Sequence, residues 1–479
     1  MRGGIGKRMK LWQGGGHVPA GSRGSTTRTT LALAGLLLLA SLTVSVVGST
    51  RSFAAPATFT VTTTNDSGAG SLRQAITDAN SNGNPSDQDV IEFAIAGGGD
   101  QTIQPQTPLT ITESVLVDGY TQGDAEENTA LAPLPLDGWL RVELDLSVSG
   151  AVQVNGAGVT LRGLTLNLSP TYAVQAIGAD NFQFFGNYVN TDTTGLLWRT
   201  DPAANGAVYI EDADNVRIGG MAANQRNVVS WCSNSCIEAL ATSGQTTNDL
   251  RIQGNLIGVG SDAVSDQGGN TVGILLKAGV TNAVIGGDRS LGAGNSVMHN
   301  FNGGIDAQDV VGLSILGNRV LANNIMNPSS YRGAVFVGGS TQVVVGDGTL
   351  NGRNVVGGQD GNNGQYSGSG VVIGNSPATS AASSEVSIEG NYIGVIDDGI
   401  TPYENFGTGV LIRDNSNNVL VRSNIIRNSY NNVGIAITNS AQSVAVLQNS
   451  IYNNLGIGID LGGNSTHDVN DTNDTDIGP

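Results

Sequence analysis

A short phrase, Gly-Asn followed within a residue or two by an apolar side chain, keeps returning: Gly186-Asn187-Tyr188, Gly254-Asn255-Leu256, Gly317-Asn318-Arg319-Val320 and Gly390-Asn391-Tyr392. A phrase repeated in this way means one structural unit laid down over and over, each copy burying its apolar side only against the next. Weaker echoes at Ser423-Asn424-Ile425 and Gln448-Asn449-Ser450-Ile451 set the copy at about 25 residues. The longer gap from Asn187 to Asn255 is then expected to hold two or three copies.

What fills each copy chooses the architecture. Helical repeats need long runs at period 3.6, and none is present. Short alternating runs appear instead: Val410-Leu411-Ile412-Arg413, Val419-Leu420-Val421-Arg422, Ile435-Ala436-Ile437-Thr438, Val444-Ala445-Val446-Leu447 and Ile457-Gly458-Ile459-Asp460. Each sends alternate side chains to opposite faces, as a strand with one buried face requires. Between them lie Gly, Asn, Asp and Ser, which turn a chain because they tolerate left-handed angles or bond their own backbone. Gly supplies 69 of 479 residues, about twice the usual share. Two or three short strands per copy, wound as a coil, predict an all-β chain: a single-stranded right-handed parallel β-helix. Residues 89–465 leave room for roughly 15 rungs and a rod on the order of 70 Å. The recurring Asn is expected to stack into a ladder inside a turn, a structural role.

The first 54 residues stand apart. Arg2, Lys7, Arg8, Lys10, Arg23 and Arg28 precede an apolar run from Leu31 to Gly48, and small residues follow at Ser52 and Ala54. This is the layout of a secretory signal, with cleavage expected after Ala54. The rival reading of the run is an uncleaved membrane anchor; with the signal cleaved, no membrane association is expected. The chain carries 22 basic and 40 acidic residues, a formal net charge of −18, and loss of residues 1–54 removes basic groups only. Nucleic acid is therefore not expected as a partner, because phosphate binding needs a basic groove. Strong acidity also keeps a strand-rich rod soluble and points to a monomer.

An open-ended coil needs a cap. Residues 55–88 supply one: Phe59-Thr60-Val61 reads as a strand, and Ser71-Leu72-Arg73-Gln74-Ala75-Ile76-Thr77-Asp78-Ala79-Asn80 as a short helix. Ser71 and Gln74 have capping-box spacing, and Leu72, Ala75, Ile76 and Ala79 form an apolar stripe. The runs at 89–95, 102–103, 109–111 and 115–119 read as the first rungs.

The segment Asn65-Asp66-Ser67-Gly68-Ala69-Gly70-Ser71-Leu72-Arg73-Gln74-Ala75-Ile76 resembles the N-terminal cap of bacterial exported right-handed β-helix proteins, some labelled CSLREA-domain proteins. Gly70-Ser71-Leu72-Arg73-Gln74 stands where that label's cysteine-containing motif would be. Gly390-Asn391-Tyr392-Ile393-Gly394 and Asn282-Ala283-Val284-Ile285-Gly286-Gly287 are similar to those proteins' repeat phrases. The resemblance implies a secreted or cell-surface location, and the fold is shared with pectate lyases and other polysaccharide-acting enzymes. Inference through fold alone is analogy.

Nucleophilic hydrolase chemistry has little to build on, since His17, His299 and His467 are the only histidines and none sits in a nucleophile motif. Asn190-Thr191-Asp192 is similar to a polygalacturonase-type signature, but no Asp-Asp, Gly-His-Gly or Arg-Ile-Lys partner follows, and a turn is expected there. A lyase would need carboxylates holding calcium and an Arg or Lys base. Strand starts at Gly206, Gly273, Gly409, Gly434 and Gly456 align Glu211, Lys277, Arg413, Thr438 and Asp460 at outward positions. Asp397, Asp398 and Glu404 precede Arg413, and these four are the candidate catalytic residues of a calcium-dependent lyase. Mixed charges on a solvated face are the ordinary alternative. Binding a polysaccharide or surface glycan without chemistry asks for less: Asn, Asp and Arg with an occasional aromatic such as Tyr392 or Tyr430.

The acidic tail, residues 466–479, concentrates oxygen ligands at Asp468, Asn470, Asp471, Asp474 and Asp476, a candidate calcium site that lacks the EF-hand pattern. A truncated end is one reading of this tail. Cys232 and Cys236 are expected to form a local disulfide in an exported chain, with two free thiols the alternative. Zinc would need two further ligands nearby, and none is evident. The chain is thus expected to be a secreted or cell-surface rod that contacts polysaccharide or serves adhesion, with a lyase as the competing class.

Overall fold

The computed structural model describes residues 55–82, 88–199, 206–266, 270–323, 333–359, 368–430 and 433–462. The expected signal and the calcium-ligand candidates of the tail lie outside them. What is described is a parallel β-helix of three long sheets, one of 15 strands and two of 12. The chain visits the first, second and third sheet in turn and then returns to the first one rung along. All named strand pairs are parallel, so each strand bonds to its counterparts in the neighbouring rungs.

Alternation decides what is buried. In the first sheet one inward stack runs Ile91, Val117, Leu161, Phe184, Ile218 and Ile252 through successive rungs. It continues through Ile285, Ile315, Val345, Ile388, Val421 and Val446. All but the last are essentially inaccessible. Each such side chain contributes about 1.5–3 kcal/mol by leaving water, and a shift by one residue would turn every one of them outward.

The Asn ladder is present at the turn from first to second sheet. Asn318 Nδ2 donates to Asn354 Oδ1 at 3.1 Å and to the Ile285 carbonyl at 2.9 Å, while its backbone N donates to the same Asn354 oxygen at 3.0 Å. The chain of amides runs Asn187, Asn227, Asn255, Asn295, Asn318, Asn354, Asn391, Asn424, Asn449. The glycine of the phrase has a backbone reason: Gly317 sits at φ 67°, and a Cβ there would lie 2.1 Å from the Gly287 carbonyl oxygen.

The rung count departs from expectation. Successive ladder positions are separated by 40, 28, 40, 23, 36, 37, 33 and 25 residues, so the 25-residue copy is the short end of the range. Among the described residues there are twelve rungs where roughly 15 were expected, and the interval from Asn187 to Asn255 holds two. Loops added largely between the second and third sheets account for the difference. The last strand is also shifted: it is Ile459–Leu461, with Ile459 opposite Ile435. Asp460 consequently faces Ala436 and lies two positions from the column it was aligned with. Gly456-Ile457-Gly458-Ile459 repeats with period two, so a two-residue slip leaves inside and outside unchanged and alternation cannot detect it.

The helix Leu72–Asn82 buries Leu72, Ala75, Ile76 and Ala79 against the strands Thr58–Val61, Asp89–Phe93 and Leu109–Ile111. Ser71 Oγ accepts from Gln74 N at 3.2 Å, but the Gln74 side chain turns to Asp78 at 2.7 Å, so only half of the capping box forms. Arg73 pins the helix by pairing with Asp66 at 2.7 Å and donating to the carbonyls of Thr107 and Pro108.

Candidate functional site

Connections from the second to the third sheet share a local design. Three double back on themselves, with Thr191 opposite Trp198, Val259 opposite Asp266 and Val395 opposite Pro402. An aspartate organises each turn by accepting from backbone N–H groups ahead of it. Asp192 accepts from Leu196 N at 3.0 Å and Leu197 N at 3.2 Å. Asp262 takes Val264 N at 3.1 Å and Ser265 N at 2.8 Å. Asp398 takes Ile400 N and Thr401 N, both at 2.8 Å. Hydrogen bonds from the Thr401 hydroxyl and these backbone groups hold the Asp398 carboxyl below the usual range.

The first two of these loops border an open cleft of about 660 Å³ lined by Leu196, Leu197, Trp198, Ser265 and Asp266. Trp198, 43% exposed, lies with its ring centroid 4.9 Å from that of Trp231. His299 stands 3.8 Å from Asp266. Burial pushes its pKa down against the opposing pull of Asp266, so the imidazole is neutral at neutral pH. The cleft thus offers the Trp198 indole and two exposed leucines beside an exposed carboxylate.

A polar cluster occupies the outer side of the third sheet in the same rungs. Trp231 is followed directly by Cys232, which is bonded to Cys236 with the Cα atoms 5.2 Å apart. That bridge staples the tryptophan loop to the strand Ser235–Leu240, whose outward Glu238 is nearly inaccessible. Glu238 accepts from Lys277 Nζ at 2.5 Å, from Ser235 Oγ at 2.7 Å and from the Tyr172 hydroxyl. Burial pushes its carboxyl upward, but the hydrogen bonds from Lys277, Tyr172 and Ser235 outweigh it and hold the pKa below the ordinary value. Tyr209 bonds Glu211 and stacks 5.2 Å from Tyr172. Burial first, and the neighbouring glutamates second, raise both phenols, so each keeps its proton. The cluster is a mutually bonded array in which Tyr172, Ser235 and Glu238 are buried and the half-exposed Lys277 side chain stands at its outer edge.

The four residues singled out for catalysis are distributed differently. Asp397, Asp398 and Glu404 share one second-to-third-sheet loop, whereas Arg413 follows the third-sheet strand Val410–Ile412 and lies 3.3 Å from Asp414. Asp397 is paired with Arg319 at 3.0 Å and with Arg289. Glu404 is exposed. Glu211 and Lys277 do fall in one register column of the third sheet, as their alignment predicted. Among the described residues no group of three or more His, Cys, Asp or Glu is placed to hold a metal ion.

Trp198, Trp231, Tyr172, Tyr209 and Glu238 were not among the sequence-based candidates. Ser235–Leu240 begins with Ser-Cys, so an alignment on glycine-led strands passes over it. The outward parity of Tyr209, between inward Val208 and Ile210, was a usable signal.

No family model matches this chain, and no curated protein sequence matches it. Among solved structures it is similar to the A-module of a mannuronan C-5 epimerase from Azotobacter vinelandii, at 13% identity and a TM-score of 0.43, covering 82% of this chain and 94% of that one. It is also similar to a surface adhesin of Streptococcus pneumoniae, at 14% identity and a TM-score of 0.42, over 81% and 88% of the two chains. An alginate lyase from a Paenibacillus species aligns at 11% identity and a TM-score of 0.33, over 84% and 99%. Likeness of this degree assigns no activity. Among the described residues no helix is long and apolar enough to cross a membrane.

Proposed function

We propose that this protein is an exported, non-catalytic rod, with a cap of the CSLREA type, that binds a polysaccharide along its second-to-third-sheet edge. The observation that carries this reading is the exposed Trp198, backed by Trp231, at a cleft of about 660 Å³. Indole faces stack on the apolar face of a pyranose ring, and a few fixed polar groups orient its hydroxyls. Tyr209, Glu211 and Lys277 supply such groups on the adjoining sheet.

A glycan array probed with the purified protein, side by side with Trp198→Ala, tests it. Binding to a defined class of glycan, lost in the variant, is expected; no binding to any glycan, or binding indifferent to the substitution, contradicts it. An unsaturated product released from a uronate polymer in calcium, and lost in Arg413→Ala, would replace this reading with a calcium-dependent lyase.

A further inference from the structure

The two hairpins that border the cleft are equivalent pieces of the repeat. Trp198 and Asp266 follow their ladder residues, Asn187 and Asn255, at the same distance along the sequence, and so stand two rungs, or about 10 Å, apart along the rod. Ser261 joins the hairpins directly: its backbone N donates to the Gly195 carbonyl at 2.8 Å and its Oγ to the Thr194 carbonyl at 2.8 Å. An indole and a carboxylate are therefore held on one bonded floor and line one cleft.

The sign of the charge around this floor is uniform. Residues 190–199, 230–238 and 258–266 carry Asp192, Glu238, Asp262 and Asp266 against Arg199 alone. Arg199 is held 3.0 Å from the buried Glu143, Arg141 3.0 Å from Asp100, and Lys277 by Glu238. Asp100 in turn accepts from Thr193 Oγ1 of the first hairpin at 2.8 Å. The carboxylates of Asp192 and Asp262 turn back into their own loops, whereas the Asp266 side chain is 64% exposed. The neighbouring His299, neutral at neutral pH, adds no positive charge there.

We propose that the cleft selects a polysaccharide of amino sugars whose amines are free, with a pyranose face on Trp198 and an ammonium paired with Asp266. The inference rests on the glycan-binding reading of this edge and names the class of glycan. A uronate or sulfated chain would bring its negative charge against Asp266 with the nearby cations already engaged by carboxylates. An N-acetylated chain could stack on the indole but would gain no ion pair. An ammonium gains both the carboxylate and the electron-rich indole face. The long-range field acts in the same direction, since a chain of net charge −18 attracts a polycation and repels a polyanion.

Calorimetric titration of the purified protein at neutral pH tests this, using oligomers of β-1,4-linked glucosamine, of N-acetylglucosamine and of a uronic acid, matched in length. The glucosamine oligomer should bind most tightly, and its binding should weaken as salt rises. Asp266→Asn, a near-isosteric change at an exposed side chain, should leave circular dichroism unaltered. It should raise the dissociation constant for the glucosamine oligomer about fivefold and leave that for the N-acetylated oligomer unchanged. Tighter or equal binding of the N-acetylated or uronate oligomer would overturn the proposal. So would glucosamine binding that is lost in Trp198→Ala but indifferent to Asp266→Asn. Either result leaves the glycan-binding reading standing, whereas no binding of any glycan by the unaltered protein would remove that reading and this one together.

Discussion

The rungs between Asn187 and Asn300 and those between Asn424 and Leu461 are built on the same amide ladder and the same three strands, yet they differ in nearly everything else. The first group spaces its ladder positions by 40, 28 and 40 residues, and the surplus becomes the hairpins that carry Trp198 and Asp266. The second group repeats after 25 residues, adds no such hairpin and bears little charge. Burial and ladder bonds set the fold in both. The proposed binding edge lies where copies are lengthened, and an inserted loop can vary without disturbing the strand register.

The largest effect expected from this contrast concerns the ladder itself. Asn295→Ala in the lengthened region strands several buried partners and should cost about 3 kcal/mol in urea unfolding, whereas Asn449→Ala, at the partly exposed end, should cost under about 1 kcal/mol. Equal losses would mean that the end rung is as well covered as the middle. Next comes the staple: Cys232→Ser with Cys236→Ser should cost roughly 2 kcal/mol by the loop-closure argument and free the Trp231 loop, raising its hydrogen exchange.

A smaller effect is set by pH. The folded pKa of Glu238 lies below its unfolded value, so its contribution is complete above the unfolded value near about 4.3 and is lost as pH falls through the folded one. Thermal melting of Glu238→Gln should therefore vary less with pH in the acid range than that of the unaltered protein. A parallel dependence in both would place the acid sensitivity elsewhere. Least of all, Trp198→Ala should change stability by no more than about 0.5 kcal/mol, its ring being substantially exposed, while removing glycan binding.

Much of the fold was legible because burial imposes period two and the ladder imposes Asn. The helix stripe Leu72, Ala75, Ile76, Ala79 and the strands at Val410–Ile412 and Gln442–Leu447 follow directly from those patterns. Asp460 was misplaced because Gly456–Ile459 satisfies alternation in two registers. The site was harder to read. Asp398 looks like a catalytic carboxylate in sequence, but it forms the same turn as Asp192 and Asp262, a likeness apparent only once the hairpins are seen together. Trp198 and Trp231 are 33 residues apart in sequence, and only the stacking of rungs brings them within 4.9 Å.

Hydrogen exchange of the protein, with and without a saturating oligosaccharide chosen from the array, tests the functional account most directly. Protection should appear in residues 190–199, 230–238 and 258–266 and be absent from residues 417–461. Protection confined to 417–461, or none anywhere in the presence of a bound glycan, would contradict the placement of the binding edge.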